Sequence, residues 1–300
     1  MWETALAFAI WGSYGSVLTA ARIDPALTAI ARSAGFGLLL LLAGAAIARL
    51  RGPREITAAI PWRSGALWLS GTVLLVDEVL YAVSAVSGPV AIIGLAYGCV
   101  PLPAPLLSRL AGTDRAPAMR SRHWFCLAVA FTGNVMVFVA LQAAHIRFTR
   151  AAIFAFLAGL MFTLMPVCSA RLQQQGLGTW AVLKGQGAVA AILAVPLLAL
   201  LIGLGWITFG GAGQGDIVAR SLEIGAVNAV AFTLTPFYLW YRGIARCGVA
   251  RTSICAFAEP LVAALFSLFV LKDAPPTPLL IAGAGLVLCG IAVSARAGGE

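Results

Sequence analysis

Apolar residues run through this chain in long stretches separated by short polar turns, too continuous for the one-sided stripe of a soluble helix. A helix needs about 20 mostly apolar residues to cross the hydrocarbon core of a bilayer, with its backbone bonded internally throughout. Ten stretches meet that length, near 3–20, 26–48, 63–83, 89–110, 122–143, 149–171, 179–203, 218–241, 247–271 and 275–296. The expected fold is an all-α integral membrane protein with ten transmembrane helices.

Composition agrees: 61% of the 300 residues are hydrophobic, 10% are charged and the mean hydropathy is +0.96. The spans use most of the chain and leave no room for a soluble catalytic domain. The first begins beside Met1 with no basic stretch and no small-residue cleavage site, so it reads as a retained helix.

The net charge of +9 would suggest nucleic acid in a soluble protein, but its placement gives an orientation instead. With the amino terminus inside, thirteen basic residues fall on the inner side: Arg49, Arg51, Arg54, Arg63, Arg109, Arg115, Arg120, Arg122, Arg171, Arg242, Arg246, Arg251 and Arg296. Five fall outside, Arg22, Arg147, Arg150, Arg220 and Lys272, and the positive-inside rule then puts both termini in the cytoplasm. No nucleic-acid partner is expected. All six cysteines lie inside spans without a CxxC pair, which implies neither a disulfide framework nor a metal site.

The chain carries traces of duplication. "VAIIGLAYGCVPLPAPLLS" (90–108) sets beneath "VARTSICAFAEPLVAALFS" (249–267) without a gap, so that Pro101 meets Pro260 and Tyr81 falls on Trp240. "AIARSAG" (29–35) sets over "AVLKGQG" (181–187), matching Arg32 with Lys184. Five spans on each side of a seam near Arg147 enter the membrane in opposite directions, so residues 1–146 and 147–300 are expected to form two inverted five-helix repeats. Inverted repeats place a substrate site near the bilayer midplane and let the halves rock around it.

Three stretches, "FAIWGSYGS", "AIARSAG" and above all "AEPLVAALFSLFVLKDAPPTPLLIAGAGLVLCGIAV", resemble the EamA-type members of the drug/metabolite transporter superfamily. The resemblance covers essentially the whole chain. It implies a ten-helix fold of inverted halves that moves small metabolites across the inner membrane, often outward. Spans 1 and 3 are similar to those of the superfamily's amino-acid exporters, with Trp11 and Phe162 matching tryptophans and Glu78 matching an acid. The positions before the span-4 proline read Gly98-Cys99-Val100-Pro101 where that group carries aromatics, so the resemblance implies amino-acid export without fixing the side chain.

Acids inside spans usually face a cavity, a partner or a proton route, which makes Asp77, Glu78 and Glu259 the first candidates. Adjacent residues on a helix differ by about 100°, so Asp77 and Glu78 are not expected to face one cavity squarely. Glu78 is read as receiving the ammonium group of a substrate or a coupling proton, with a buried pair to Arg32 or Lys184 as the alternative. Asp77 is read as holding the bundle. Glu259 precedes Pro260, which frees the carbonyl of Ala256; it either meets substrate or satisfies that loosened backbone.

Trp11 and Tyr14 share one face of span 1, and Trp11 sits about 12 Å from the helix start, too deep for an interfacial belt. With Tyr81, Tyr97 and Phe162 they are expected to wall the cavity. Trp2, Trp62, Trp124, Trp180, Trp240 and Tyr241 lie near span ends and read as belt residues. Arg32 and Lys184, each within two turns of a helix start, read as a structural or gating pair able to snorkel. Pro101, Pro103 and Pro105 suit a kinked, moving span 4.

His123 and His145 fall on opposite sides and no catalytic or phosphate-binding motif is present, so an enzyme is not expected, nor any cofactor. The partners expected are a small-molecule substrate and the lipid bilayer, with proton coupling left open, in a monomer or weak dimer. The reading is a secondary transporter exporting a small metabolite, an amino acid first. Its alternatives are a drug or sugar-derivative exporter of the same fold and, behind these, a membrane-embedded lipid-modifying enzyme.

Overall fold

The computed structural model describes residues 1–21, 23–51, 55–87, 102–113, 121–141, 150–207, 214–271 and 276–296. Among these the chain is helical, with no strand. The helices are α1 (Trp2–Ala20), α2 (Pro25–Arg51), α3 (Gly65–Ser87), α4 (Pro103–Leu110), α5 (Ser121–Leu141), α6 (Arg150–Gln174) and α7 (Thr179–Gly203). Two broken helices follow. In α8, Gln214–Asn228 leads through a π-helical Ala229–Leu234 into Thr235–Cys247; in α9, Val249–Ser253 and a 3₁₀ turn, Ile254–Phe257, lead into Ala258–Phe266 and a π-helical Ser267–Leu271. The last is α10 (Pro278–Arg296).

Eight helical stretches among the described residues are long and apolar enough to cross a membrane. They correspond to α2, α3 and α5 through α10. α1 is 19 residues long but is diluted by Glu3, Ser13, Tyr14 and Ser16; it earns its place by packing inside the bundle against α3, α8 and α9. Most of the fourth expected span, with Tyr97 and Pro101, lies outside the described residues, and so does the seam between residues 146 and 147.

Span 8 is longer than its apolar pattern predicts, running on to Cys247. It stops where Gly248 takes φ +79°, a left-handed conformation open to glycine without strain, and the Gly248 N–H closes the helix by donating to the Ile244 carbonyl at 2.9 Å.

The packing has a regular pattern. α2 lies on α7, α4 on α9, and α5 on α10, each helix against the one five places on. The contact of α3 with α6 is answered by that of α8 with α1, α2 with α8 by α7 with α3, and α1 with α9 by α6 with α4.

Small residues let the backbones approach. Where α5 crosses α10, a Cβ on Gly283 would stand 2.7 Å from the Gly133 carbonyl oxygen, closer than real Cβ contacts allow. Gly285, two residues on, is exposed and a Cβ there would meet nothing within 4 Å. Gly283→Leu is therefore expected to separate α5 from α10 and cost at least ~1–3 kcal/mol, read as a lowered melting temperature in detergent, while Gly285→Leu melts like the parent.

Candidate functional site

Four helices converge on one buried cation. Arg32 of α2 is 2% exposed, and each of its three nitrogens is engaged. Nη1 pairs with Glu78 Oε2 of α3 at 2.5 Å. Nε donates to Thr233 Oγ1 and Nη2 to the Phe232 carbonyl, each at 2.6 Å, both in the π-helical segment of α8. The guanidinium carbon lies 4.1 Å from the centre of the Tyr14 ring of α1, a cation–π contact.

The π segment explains why α8 can receive this cation. A π turn displaces the i→i−4 ladder and leaves carbonyls that ordinary helix would consume. Phe232 presents such a carbonyl, which also accepts the indole N–H of Trp11 at 2.7 Å. One bulge thereby fixes both Arg32 and Trp11.

Around this knot lies a cavity near mid-length of α1, α3 and α6. It is lined by Trp11, Tyr14, Arg32, Asp77, Glu78, Tyr81, Phe162, Phe237 and Glu259. Its open space is about 20 Å³, room for one water and no more. The aromatic wall is built from two stacked pairs, Tyr14 on Tyr81 at 5.5 Å and Phe162 on Trp240 at 4.8 Å. Trp11 meets Phe162, Phe237 and Trp240 edge-on, with ring centroids 4.9 to 5.5 Å apart.

The lining brings together six of the seven residues expected to meet substrate, Tyr97 being outside the described residues. Asp77 and Arg32, expected to be structural, border the same space. Asp77 and Glu78 therefore do share a cavity despite their angular separation, because the chamber spans the surface of α3 between them. Glu78 is the acid that pairs with Arg32.

Three expectations need correction. Arg32 does not snorkel to the interface, since Glu78 and the α8 bulge hold it inside the bundle. Lys184 points elsewhere, donating to the Ala58 carbonyl at 2.5 Å between α2 and α3. Trp240 and Tyr241 are not belt residues but are 2% and 0% exposed, because α8 continues past them to Cys247. Phe237 was not singled out; its signal was a place one turn before Tyr241 on the face that Trp240 also borders.

A second cavity of about 560 Å³ opens on the face where α1 begins, between the ends of α6 and α8 and the starts of α7 and α9. Gln173, Thr179, Arg246 and Arg251 are among its lining residues. Tyr241 stands on α8 one helical turn from Phe237 of the first cavity and one from Ala245 of the second. Its hydroxyl donates to Gln186 Oε1 at 2.9 Å, and Gln173 Nε2 donates to its carbonyl at 3.0 Å. Among the described residues no cluster of His, Cys, Asp or Glu could hold a metal ion.

Apolar helices enclosing a polar chamber define a multi-pass membrane protein. Residues 149–296 match the EamA-like transporter family. The fold is also similar to that of a protein solved by crystallography, with a TM-score of 0.70 and 22% identity over 98% of this chain and 96% of that one. No curated protein matches the chain.

The pairing of Arg32 and Glu78 sets an expectation. Removing one partner leaves a buried charge unpaired, so Arg32→Gln or Glu78→Gln alone is expected to cost ~3–5 kcal/mol of stability. The double variant should cost clearly less than the sum. Denaturation of the purified protein across this cycle checks it; additive losses would mean the pair is not coupled.

Proposed function

We propose that this protein is a secondary transporter that exports a small organic metabolite, an amino acid in the first instance, across the inner membrane by alternating access. Both chain ends lie in the cytoplasm, in keeping with the thirteen basic residues on that side against five on the other. One observation carries the reading: a narrow chamber walled by rings and acids, with Tyr241 one helical turn from it and one from a 560 Å³ vestibule. A chamber of about 20 Å³ admits no metabolite, so it has a function only as one stage of a cycle that opens and closes it.

The five-step pattern of packing supports two inverted repeats, residues 1–146 and 147–300. Among the described residues, exchanging each helix for its counterpart maps the main helix contacts, though not all of them, onto one another. The stacked pairs follow the same rule, Tyr14 with Tyr81 across α1 and α3, Phe162 with Trp240 across α6 and α8. A chamber on the axis relating two such halves is where rocking alternately exposes cargo to either side.

In the cycle, the vestibule collects substrate from the cytoplasm and the Tyr241–Gln186 contact parts to admit it. Trp11, Tyr14, Tyr81, Phe162 and Phe237 take its apolar body, while carboxyl groups take its ammonium. Arg32 and Glu78 hold α1, α2, α3 and α8 in register. Carboxyls that exchange cargo for protons would couple the cycle to the proton gradient.

Counterflow in proteoliposomes with a panel of labelled amino acids tests this directly. Saturable exchange of at least one is expected, and exchange of none sinks the amino-acid assignment. Phe162→Ala, which removes a ring from the chamber wall, is expected to lower that exchange by about tenfold or more without loss of expression.

A further inference from the structure

Of the two cavities, the vestibule is the one with room for a metabolite as the protein stands. Its volume of about 560 Å³ falls in the range of sites that enclose small organic ligands, whereas the chamber has space for a single water. We propose that the vestibule is an entry site that captures the cargo by its carboxylate, with Arg251 of α9 as the anchor. This rests on the transport reading above and names the end of the cargo that is read first.

Among the described residues three charged side chains border the vestibule, Glu55, Arg246 and Arg251. Two of them are engaged. Glu55 Oε1 accepts the backbone N–H of Trp180 at 2.6 Å, at the start of α7, and its carboxyl group lies where a Cβ on Gly178 would have to stand. Arg246 Nη1 donates to both carboxylate oxygens of Glu3, at 3.1 and 3.3 Å. Arg251 is partly buried in the wall and, among the described residues, pairs with no carboxylate. The stretches 52–54 and 114–120, outside the described residues and next in sequence to Glu55 and Thr113 of the lining, hold one acid, Asp114, against Arg54, Arg115 and Arg120. They bring no excess of acid to this face.

A guanidinium in the wall of a polar concavity suits a carboxylate, which it can hold by two parallel N–H bonds. In the chamber, Arg32 already serves Glu78 Oε2, Thr233 Oγ1 and the Phe232 carbonyl. Arg251 can receive a cargo carboxylate without displacing an internal acid. Gln173 supplies the complementary group: its Nε2 is spent on the Tyr241 carbonyl at 3.0 Å, which leaves its Oε1 as the atom to accept an N–H from the cargo. Both ends of an amino acid thereby find a partner of the right kind on the lining.

The position of Arg251 on α9 connects this site to the chamber. Glu259, which borders the chamber, lies eight residues further along the same broken helix, roughly 12 Å at the rise of an α-helix. The 3₁₀ turn Ile254–Phe257 lies between them. One helix presents a cation to the vestibule and a carboxyl group to the chamber, so a zwitterion is held first by its carboxylate and then by its ammonium.

Three probes with one phenyl body separate the possibilities. Phenylalanine carries both charges, 3-phenylpropionate the carboxylate alone, and phenylalaninamide the ammonium alone. Titration calorimetry on the purified full chain is expected to show phenylalanine binding more tightly than phenylalaninamide by about tenfold or more. Arg251→Gln should weaken phenylalanine and 3-phenylpropionate by a similar factor and leave phenylalaninamide as it was, with Arg251→Lys restoring part of the loss. Arg109→Gln, which removes an exposed charge at the end of α4 outside the lining, should leave all three unchanged. If Arg251→Gln does not fold, modification of the unaltered protein by phenylglyoxal decides instead: 3-phenylpropionate should protect Arg251 and not Arg109.

Phenylalaninamide binding as tightly as phenylalanine would overturn the carboxylate site, and so would binding of none of the three. Unchanged phenylalanine affinity in Arg251→Gln would overturn the role of Arg251 and leave amino-acid transport standing. If that variant instead loses binding of dihexanoylphosphatidylglycerol while keeping phenylalanine, Arg251 is a lipid contact and the proposal fails. Carboxylate binding that depends on Arg251, without exchange of any amino acid in proteoliposomes, would sink the transport reading while leaving the site intact.

Discussion

A guanidinium held inside a membrane bundle is the constraint on which the rest of this structure turns. Arg32 cannot be left there unpartnered, because an isolated charge at that depth is far less stable than one in water. Its solution draws on helices distant in sequence: Glu78 from α3, the Phe232 carbonyl and Thr233 hydroxyl from α8, and the Tyr14 ring from α1. Each nitrogen has its own direction, so the helices must arrive in one relative arrangement. The ion pair thereby fixes geometry as much as it contributes energy.

That arrangement requires a departure from regular helix in α8. An ordinary α-helix has no carbonyl to spare in its interior, and the π segment Ala229–Leu234 supplies one. The same carbonyl seats the Trp11 indole, so the ring that dominates the chamber wall and the cation that ties the helices share an anchor. A shift at this bulge would move both together. α9 is broken in a comparable way by its 3₁₀ turn just before Glu259 and Pro260. Irregular backbone in both helices occurs where it borders the polar chamber, the setting in which a membrane protein tolerates it.

The narrowness of the chamber has a physical logic too. Five rings and the Arg32–Glu78 pair fill the centre until space for a single water remains. The vestibule beyond Tyr241 is much larger and lined by amides and arginines. The two compartments differ in both size and polarity, and the buried Tyr241–Gln186 hydrogen bond marks the boundary between them.

Much of this was legible from residue order. Helices that cross a bilayer must be long and apolar, so the spans of α2, α3 and α5 through α10 stand out as runs. Carboxylates inside such runs are conspicuous because little else permits them, which is how Asp77, Glu78 and Glu259 could be singled out; Trp11, Tyr14 and Tyr81 followed from depth and spacing, and Phe162 from the family resemblance. Residue order does not say which helix faces which. The partner of Arg32, the opposite heading of Lys184, the burial of Trp240 and Tyr241, the place of Phe237 and the sharing of one chamber by two adjacent acids all depend on packing between segments far apart in the chain. The π segment was equally hidden, since it follows from the needs of an arginine some two hundred residues earlier. The sequence by itself determined that the chain is a bundle of membrane helices with acids and rings at mid-depth. Only the tertiary structure decided how those acids divide their work, because a charge in an apolar medium is defined by the partner brought beside it.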